Sequence, residues 1–225
     1  MSQWLAERFR FADDDPVGRA VRDALRGRLC PGTAVLDVGC GEGAGALHVA
    51  AVATRPVQYI GIDPDPDACA VARRTLAELG SEHVHGTIKN MSIQDYAALR
   101  PAPVHLQLWV RAMHECVDRP EPEAVCALGR LAAALLRPGG WVLVSDPCLG
   151  PGASAEELAR IEAYDRRVAV GSSGRPHLDP ARIEDALLQA GLRIVERRET
   201  PRYALARYLG LAGARQLLLV GERPL

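Results

Sequence analysis

A mostly parallel β-sheet covered by helices on both faces is the fold class this chain predicts, and three features of its sequence predict it. Short apolar runs alternate with amphipathic stretches of helical length, the pattern of strands buried on both sides. The first strong run, Ala34-Val35-Leu36-Asp37-Val38, enters Gly39-Cys40-Gly41-Glu42-Gly43, a turn short of side chains. The second, Tyr59-Ile60-Gly61-Ile62, ends in Asp63-Pro64. Ligands of open α/β sheets lie beyond the carboxyl ends of the strands, so turn and acid are expected together at that edge.

Residues 2–9 form a first amphipathic stretch. Asp15 is a helix N-cap with Pro16 at the first helical position, and Val17, Ala20, Val21, Ala24 and Leu25 then recur at helical spacing. Preceding the first strand, these stretches are placed as a helical cap over residues 1–30, lying across the ligand edge. After the Pro31-Gly32 turn the pattern gives strand 34–38, helix 44–53, strand 57–62, helix 66–79, strand 83–89, strand 104–110, helix 121–136 and strand 141–145. A helix over 154–169, a loop over 171–176 and a helix from Asp179-Pro180 to Gly191 follow, and strands 192–197 and 216–220 bring the count to seven. With no repeat and no linker, residues 1–225 are expected to form one domain.

Composition excludes several function classes. Hydrophobic residues make up 48% and charged residues 24%, ordinary for a soluble protein, and no apolar run is long enough for a bilayer. The opening MSQWLAERFRFADDDP has charges throughout and no cleavable apolar core, so a cytoplasmic location is expected. The six cysteines include no C-x-x-C pair, which favours free thiols over disulfides or zinc. A net charge of −1 and a pI near 6.6 offer no broad basic surface, so nucleic acid is not an expected partner. A small molecule is, with the chain a monomer or homodimer.

The glycine turn lets a ligand press on backbone amides, and a carboxylate ending the next strand suits a ribose diol. Two cofactor classes use such a nucleoside site. In a dinucleotide reading, Gly39, Gly41 and Ala44 answer a G-x-G-x-x-G pattern with Asp63 on the ribose. Against it stands Asp37, whose negative charge two residues before Gly39 suits a cationic ligand better than a diphosphate. The whole run D-V-G-C-G-E-G followed by G-I-D-P resembles the nucleoside-binding motifs of the class I S-adenosylmethionine-dependent methyltransferases. Leu136-Arg137-Pro138-Gly139-Gly140-Trp141-Val142-Leu143-Val144 resembles that family's turn into its fifth strand, and Ala190-Gly191-Leu192 the turn before its sixth. The resemblance implies a seven-stranded sheet in the order 3-2-1-4-5-7-6 with the seventh strand antiparallel. It also implies that Asp37, Gly39, Cys40 and Gly41 underlie the methionine and ribose, that Asp63 holds the ribose hydroxyls, and that Pro64 lies flat against adenine. Where the family usually has an acid for the adenine amino group, this chain offers Asn90 or Met91 counting back from the fourth strand, and Thr87 or Ile88 counting forward from Asp63. Trp109 and Val110, ending the fourth strand, complete the expected cofactor contacts.

Methyl transfer is an in-line displacement that gains from a close, aligned and dry nucleophile, and from a base when the acceptor is a hydroxyl. His114 and Glu115 follow the fourth strand, beside the expected methyl position. His114 falls where one branch of small-molecule O-methyltransferases has an L-H-D-W motif with a catalytic histidine, although Val117 replaces the Trp after an inserted Cys116. His114 is thus either the base or a structural hydrogen-bonding group for its loop. Tyr164, Asp165 and His177 fall in a segment that often supplies the family's substrate lid, and Tyr203 and Tyr208 in a long link between the last two strands. Asp146 and Pro147 end the fifth strand, but the fourth ends without an acid, so no metal is expected. No Asn-Pro-Pro-Tyr run is present to hold a base nitrogen, which places oxygen ahead of nitrogen or carbon as acceptor. The competing reading is a catalytically silent cofactor-binding subunit.

Overall fold

The computed structural model describes residues 3–7, 16–80, 84–117, 121–149, 178–201 and 214–225, with isolated positions between 154 and 163. Residues 3–7 are helical. Then follow α1 (Pro16–Leu25), β1 (Ala34–Val38), α2 (Ala44–Val52), β2 (Val57–Asp63), α3 (Pro66–Leu79), β3 (Val84–Asn90) and α4 (Ile93–Ala98). The second half holds β4 (Val104–Val110), a 3-10 turn (His114–Cys116), α5 (Pro122–Leu135), β5 (Leu136–Leu149), α6 (Pro180–Gln189), β6 (Arg193–Pro201) and β7 (Ala214–Glu222).

The seven strands form one sheet in the order β3-β2-β1-β4-β5-β7-β6. The pairs β1/β2, β1/β4, β2/β3 and β4/β5 are parallel, and β7 runs antiparallel to both β5 and β6. This is the order implied by the resemblance. Alternation along each strand sends neighbouring side chains to opposite faces. Val144, Leu217 and Leu219 pack with Val125, Leu128, Ile183 and Leu187 of α5 and α6. Leu143, Leu218 and Val220 pack with Val17, Val21 and Leu25 of α1 and with Val49 of α2. Both faces are thus largely apolar.

Four elements differ from expectation, β6 running on to Pro201 and β7 covering Ala214–Glu222 because the two pair over that length. Helix α4 was not expected; Ser92 caps it, its Oγ accepting from Asp95 N at 3.1 Å. Strand β5 is longer than 141–145 at both ends: Asp146–Leu149 pair with Ala214–Leu217 of β7, and Gly139, at φ +70°, lets Gly139 N donate to Arg223 O at 2.8 Å while Arg223 N donates to Gly140 O. The expected helix 154–169 lies largely outside the described residues. Asp15, the loop 171–176, Tyr164, Asp165, His177, Tyr203 and Tyr208 lie outside them altogether. Among the described residues no helix is long and apolar enough to cross a membrane.

Candidate functional site

The turn after β1 is a backbone device. Gly39, Gly41 and Gly43 have φ of +65°, +49° and +90°, values that L side chains resist. Gly39 N and Cys40 N both donate to Ile62 O, at 2.9 and 3.0 Å, which ties the turn to the end of β2. A Cβ on Gly39 would lie 2.7 Å from that of Ala112, so the loop after β4 presses on the turn there. A Cβ on Gly41 would meet nothing within 4 Å. The turn is therefore closed at Gly39 and open over Gly41.

Asp63 is fixed beside that opening. Its Oδ2 accepts from Gly41 N and its Oδ1 from Asp65 N, both at 2.9 Å. An ionised carboxylate has about four acceptor positions, so each oxygen keeps room for a further donor, as a diol would supply. The pairing of β2 with β3 sets Asp63 opposite Asn90. Asn90 Nδ2 and Met91 N each donate to Asp63 O at 3.0 Å. Asp63, the exposed Pro64, the exposed Asn90 and the half-buried Met91 are thus brought together. Thr87 and Ile88 stand further back along β3, with Ile88 buried over Gly61.

Other sequence-predicted residues lie beneath this surface. Asp37 is buried and accepts a hydrogen bond from the Tyr59 hydroxyl. Burial pushes its carboxyl up to about 7, the Tyr59 hydrogen bond opposing that rise and the charge of Asp63 adding to it. Gly45 allows this packing, since a Cβ there would overlap the Asp37 carboxylate. The Cys40 thiol is buried under the turn, and burial pushes its pKa far up, leaving it protonated and unreactive. Trp109 is fully buried, its indole donating to Gln107 Oε1 at 3.1 Å while Gln107 Nε2 donates to Ala132 O. Val110 is half-buried against the α1 and α2 side.

A second polar group gathers past β4. Arg111 turns through φ +58°, and its N donates to Ser145 O at 2.7 Å. His114 N donates to Asp146 Oδ2 at 2.9 Å, and its ring Nδ1 lies 3.0 Å from Asp146 Oδ1. The ring Nε2 lies 3.2 Å from Glu115 Oε1. Burial alone would lower the His114 pKa, but the charge and hydrogen bond of fully buried Asp146, with those of Glu115, outweigh it and hold the ring up at about 10. At neutral pH the ring is an imidazolium donating to two carboxylates. Sequence reasoning did not pair Asp146 with His114. The signal lay in strand order: β5 is the neighbour of β4, and Val110 pairs with Ser145, so the next residue of β5 meets the loop after β4.

Comparison with known proteins places the chain. Residues 35–140 match the family described as a methyltransferase domain. A ubiquinone biosynthesis O-methyltransferase of Xanthomonas euvesicatoria is 31% identical over 164 residues, a match covering 72% of this chain and 64% of the relative. The chain thus spans under two thirds of that relative's length. Among solved structures, a cyclopropane synthase from Mycobacterium tuberculosis superposes with a TM-score of 0.69 at 13% identity, covering 92% of this chain and 84% of that one. A geranyl diphosphate methyltransferase solved with S-adenosylmethionine does so with a TM-score of 0.62 at 17% identity, covering 91% and 83%. Those two likenesses are of fold.

Proposed function

Because the chain belongs to the class I S-adenosylmethionine-dependent methyltransferases, we propose that it moves the methyl group of that cofactor to a hydroxyl oxygen of a small molecule, as a single domain over residues 1–225. The observation that carries the reading is Asp63, held by two backbone amides beside the open face of Gly41. Its remaining acceptor positions fit the ribose hydroxyls, with Gly39 and the backbone of Cys40 beneath, Asp37, Trp109 and Val110 as the floor, and Pro64, Asn90 and Met91 around adenine. Bound there, S-adenosylmethionine supplies an electrophilic methyl group on a sulfonium. A hydroxyl acceptor is supported by the O-methyltransferase name of the relative and by the carboxylate and imidazolium groups past β4.

The proton must leave the hydroxyl as its oxygen gains the methyl group. His114 already holds a proton on each ring nitrogen, and a base role requires it to lose one first. Glu115 is a half-buried carboxylate 3.2 Å from His114 Nε2, and a carboxylate suffices as acceptor because an alkylated hydroxyl is strongly acidic. We assign the proton to Glu115, with His114 orienting it and Asp146 fixing His114 from the core.

Calorimetry with S-adenosylhomocysteine tests the cofactor site. Asp63→Ala is expected to lose two charge-assisted hydrogen bonds, each worth roughly 1.5–3 kcal/mol. Unchanged affinity in that variant, or tighter binding of NADH than of S-adenosylhomocysteine by the wild type, would overturn the assignment.

A further inference from the structure

The carboxyl edge of the sheet carries a guanidinium that the reading above does not use. Strand β7 begins at that edge, antiparallel to β5, so that Arg215 stands opposite Cys148 of β5 and Pro201 of β6. Leu217 and Leu219 of β7 pack on the α5 and α6 side with Val144 and Cys148, and alternation gives Arg215 and Asp146 that same face. Arg215 thus shares a face with the acid that fixes His114. Two residues along a strand span about 6.6 Å and neighbouring strands lie about 4.8 Å apart, which puts the Cα of Arg215 roughly 8 Å from that of Asp146. The Cys148 thiol lies between them. Burial pushes it up to about 12, the charges of Glu199 and Asp146 adding to the rise and those of Arg197 and Arg215 opposing it.

Arg215 is half-buried, and its Nε is buried without an acceptor. Among the described residues no hydrogen bond or ion pair holds its guanidinium. The carboxylates around it are already engaged. Asp146 accepts from His114 N through Oδ2 and faces His114 Nδ1 through Oδ1. Glu199 holds Arg197, which also donates to Glu184 at 3.0 Å. Cys148 is protonated and brings no charge, and the Pro201 side chain has no acceptor. A positive charge therefore stands at the ligand edge with its demand for an anion unmet.

We infer that Arg215 binds a carboxylate on the acceptor, at the end of the molecule remote from the hydroxyl that Glu115 deprotonates. A guanidinium meets a carboxylate through two parallel N–H donors, which fixes orientation as well as position. Glu115, His114 and Asp146 together carry two negative charges and one positive, so they repel an anion and leave the acceptor one way round. The substrate class is then a small hydroxy acid whose two groups stand apart. The inference rests on the methyltransferase reading and deepens it by naming that class, with Arg215 as a specificity residue away from the Asp63 region.

The test uses the full chain saturated with S-adenosylhomocysteine, whose neutral sulfur adds no attraction for an anion. The probe is 4-hydroxyphenylacetate and its control the uncharged 4-hydroxyphenylacetamide, both titrated by ligand-observed NMR. The wild type is expected to prefer the acid by about tenfold or more. Arg215→Gln should abolish that preference while leaving S-adenosylhomocysteine affinity within about twofold. Equal binding of acid and amide by the wild type overturns the inference, as does no binding of the acid or a preference that survives in Arg215→Gln. Should Arg215→Gln not fold, Arg215→Lys decides: it keeps the charge without the planar fork and should cut the preference about threefold or more, and an unchanged preference overturns the inference. A wild type that fails to bind S-adenosylhomocysteine instead overturns the cofactor reading, so the two failures are distinct.

Discussion

His114 illustrates how a residue can be legible in type and hidden in role. A histidine and an acid after the fourth strand are visible in the sequence, and both fall in the 3-10 turn that follows β4. What the sequence does not carry is Asp146, separated by 32 positions and brought close only because β5 lies next to β4. The same holds for Asp37, Cys40 and Trp109. Their positions follow from the pattern, but the direction of each side chain depends on which helices cover which face. Asp146 turns His114 from a free base into a bound cation, and that has a measurable sign. The folded-state value of about 10 lies above the ordinary 6.5, so the protonated ring stabilises the fold. This contribution is full below about pH 6.5, declines as pH rises, and is lost on passing about pH 10. Urea unfolding should show His114→Asn less stable than wild type near pH 6 and equal to it above pH 10; an identical deficit at both overturns the ion-pair account. Turnover gives the matching kinetic result. If His114 orients Glu115, His114→Asn retains turnover within a few-fold while Glu115→Gln loses about 10²-fold or more, and kcat/KM has no limb rising toward pH 10. A rising limb would return the base role to His114.

Among elements, the glycine turn shows why two residues of the same type and similar φ serve different ends. Gly39 is closed by Ala112, whereas Gly41 faces open space. Gly39→Ala combines left-handed backbone strain with a clash and should cost roughly 2–5 kcal/mol of stability. Gly41→Ala should cost only about 1–2 kcal/mol, from backbone strain, yet its methyl would stand where the ligand meets the backbone and should lower S-adenosylhomocysteine affinity by about tenfold or more. Denaturation and calorimetry on the two variants separate these effects; full affinity in Gly41→Ala would mean that the opening faces no ligand. The turn was legible because glycines between an apolar run and a helix have few other uses. Helix α4 was not, since six residues make fewer than two turns and show no period. Its one available sign was Ser92 followed three residues on by Asp95, a cap that also donates to Asp95 Oδ2 at 2.7 Å. The lower part of β5 was hidden for the opposite reason. Arg137-Pro138-Gly139-Gly140 has the composition of a turn, and it is strand through Leu136 opposite Val104 of β4 and the bonds of Gly139 and Gly140 with Arg223, just past β7.

For the whole molecule, sheet order decides what the cofactor can stabilise. Gly41 follows β1, and Asp63 and Asn90 end β2 and β3, three strands adjacent at one side of the sheet, whereas His114 follows β4 and Asp146 lies in β5. The outer strand β6 carries Arg193, Glu196, Arg197, Arg198 and Glu199, charges that discourage pairing with another chain. A ligand held across three strand ends favours the folded state of all of them, and the two continuous apolar layers on the faces transmit that gain to the rest of the sheet. At a concentration about 100 times its dissociation constant, S-adenosylhomocysteine should add about 2.7 kcal/mol of stability, which for a chain of this length raises Tm by roughly 5–10 °C. NADH at the same concentration should leave Tm unchanged, and Asp63→Ala should show a much smaller rise. Calorimetric unfolding is the deciding measurement. A single transition that moves as a unit supports one cooperative domain; a shift confined to part of a split transition would mean that β1–β3 unfold apart from β5–β7, and that cofactor and acceptor halves are only loosely coupled.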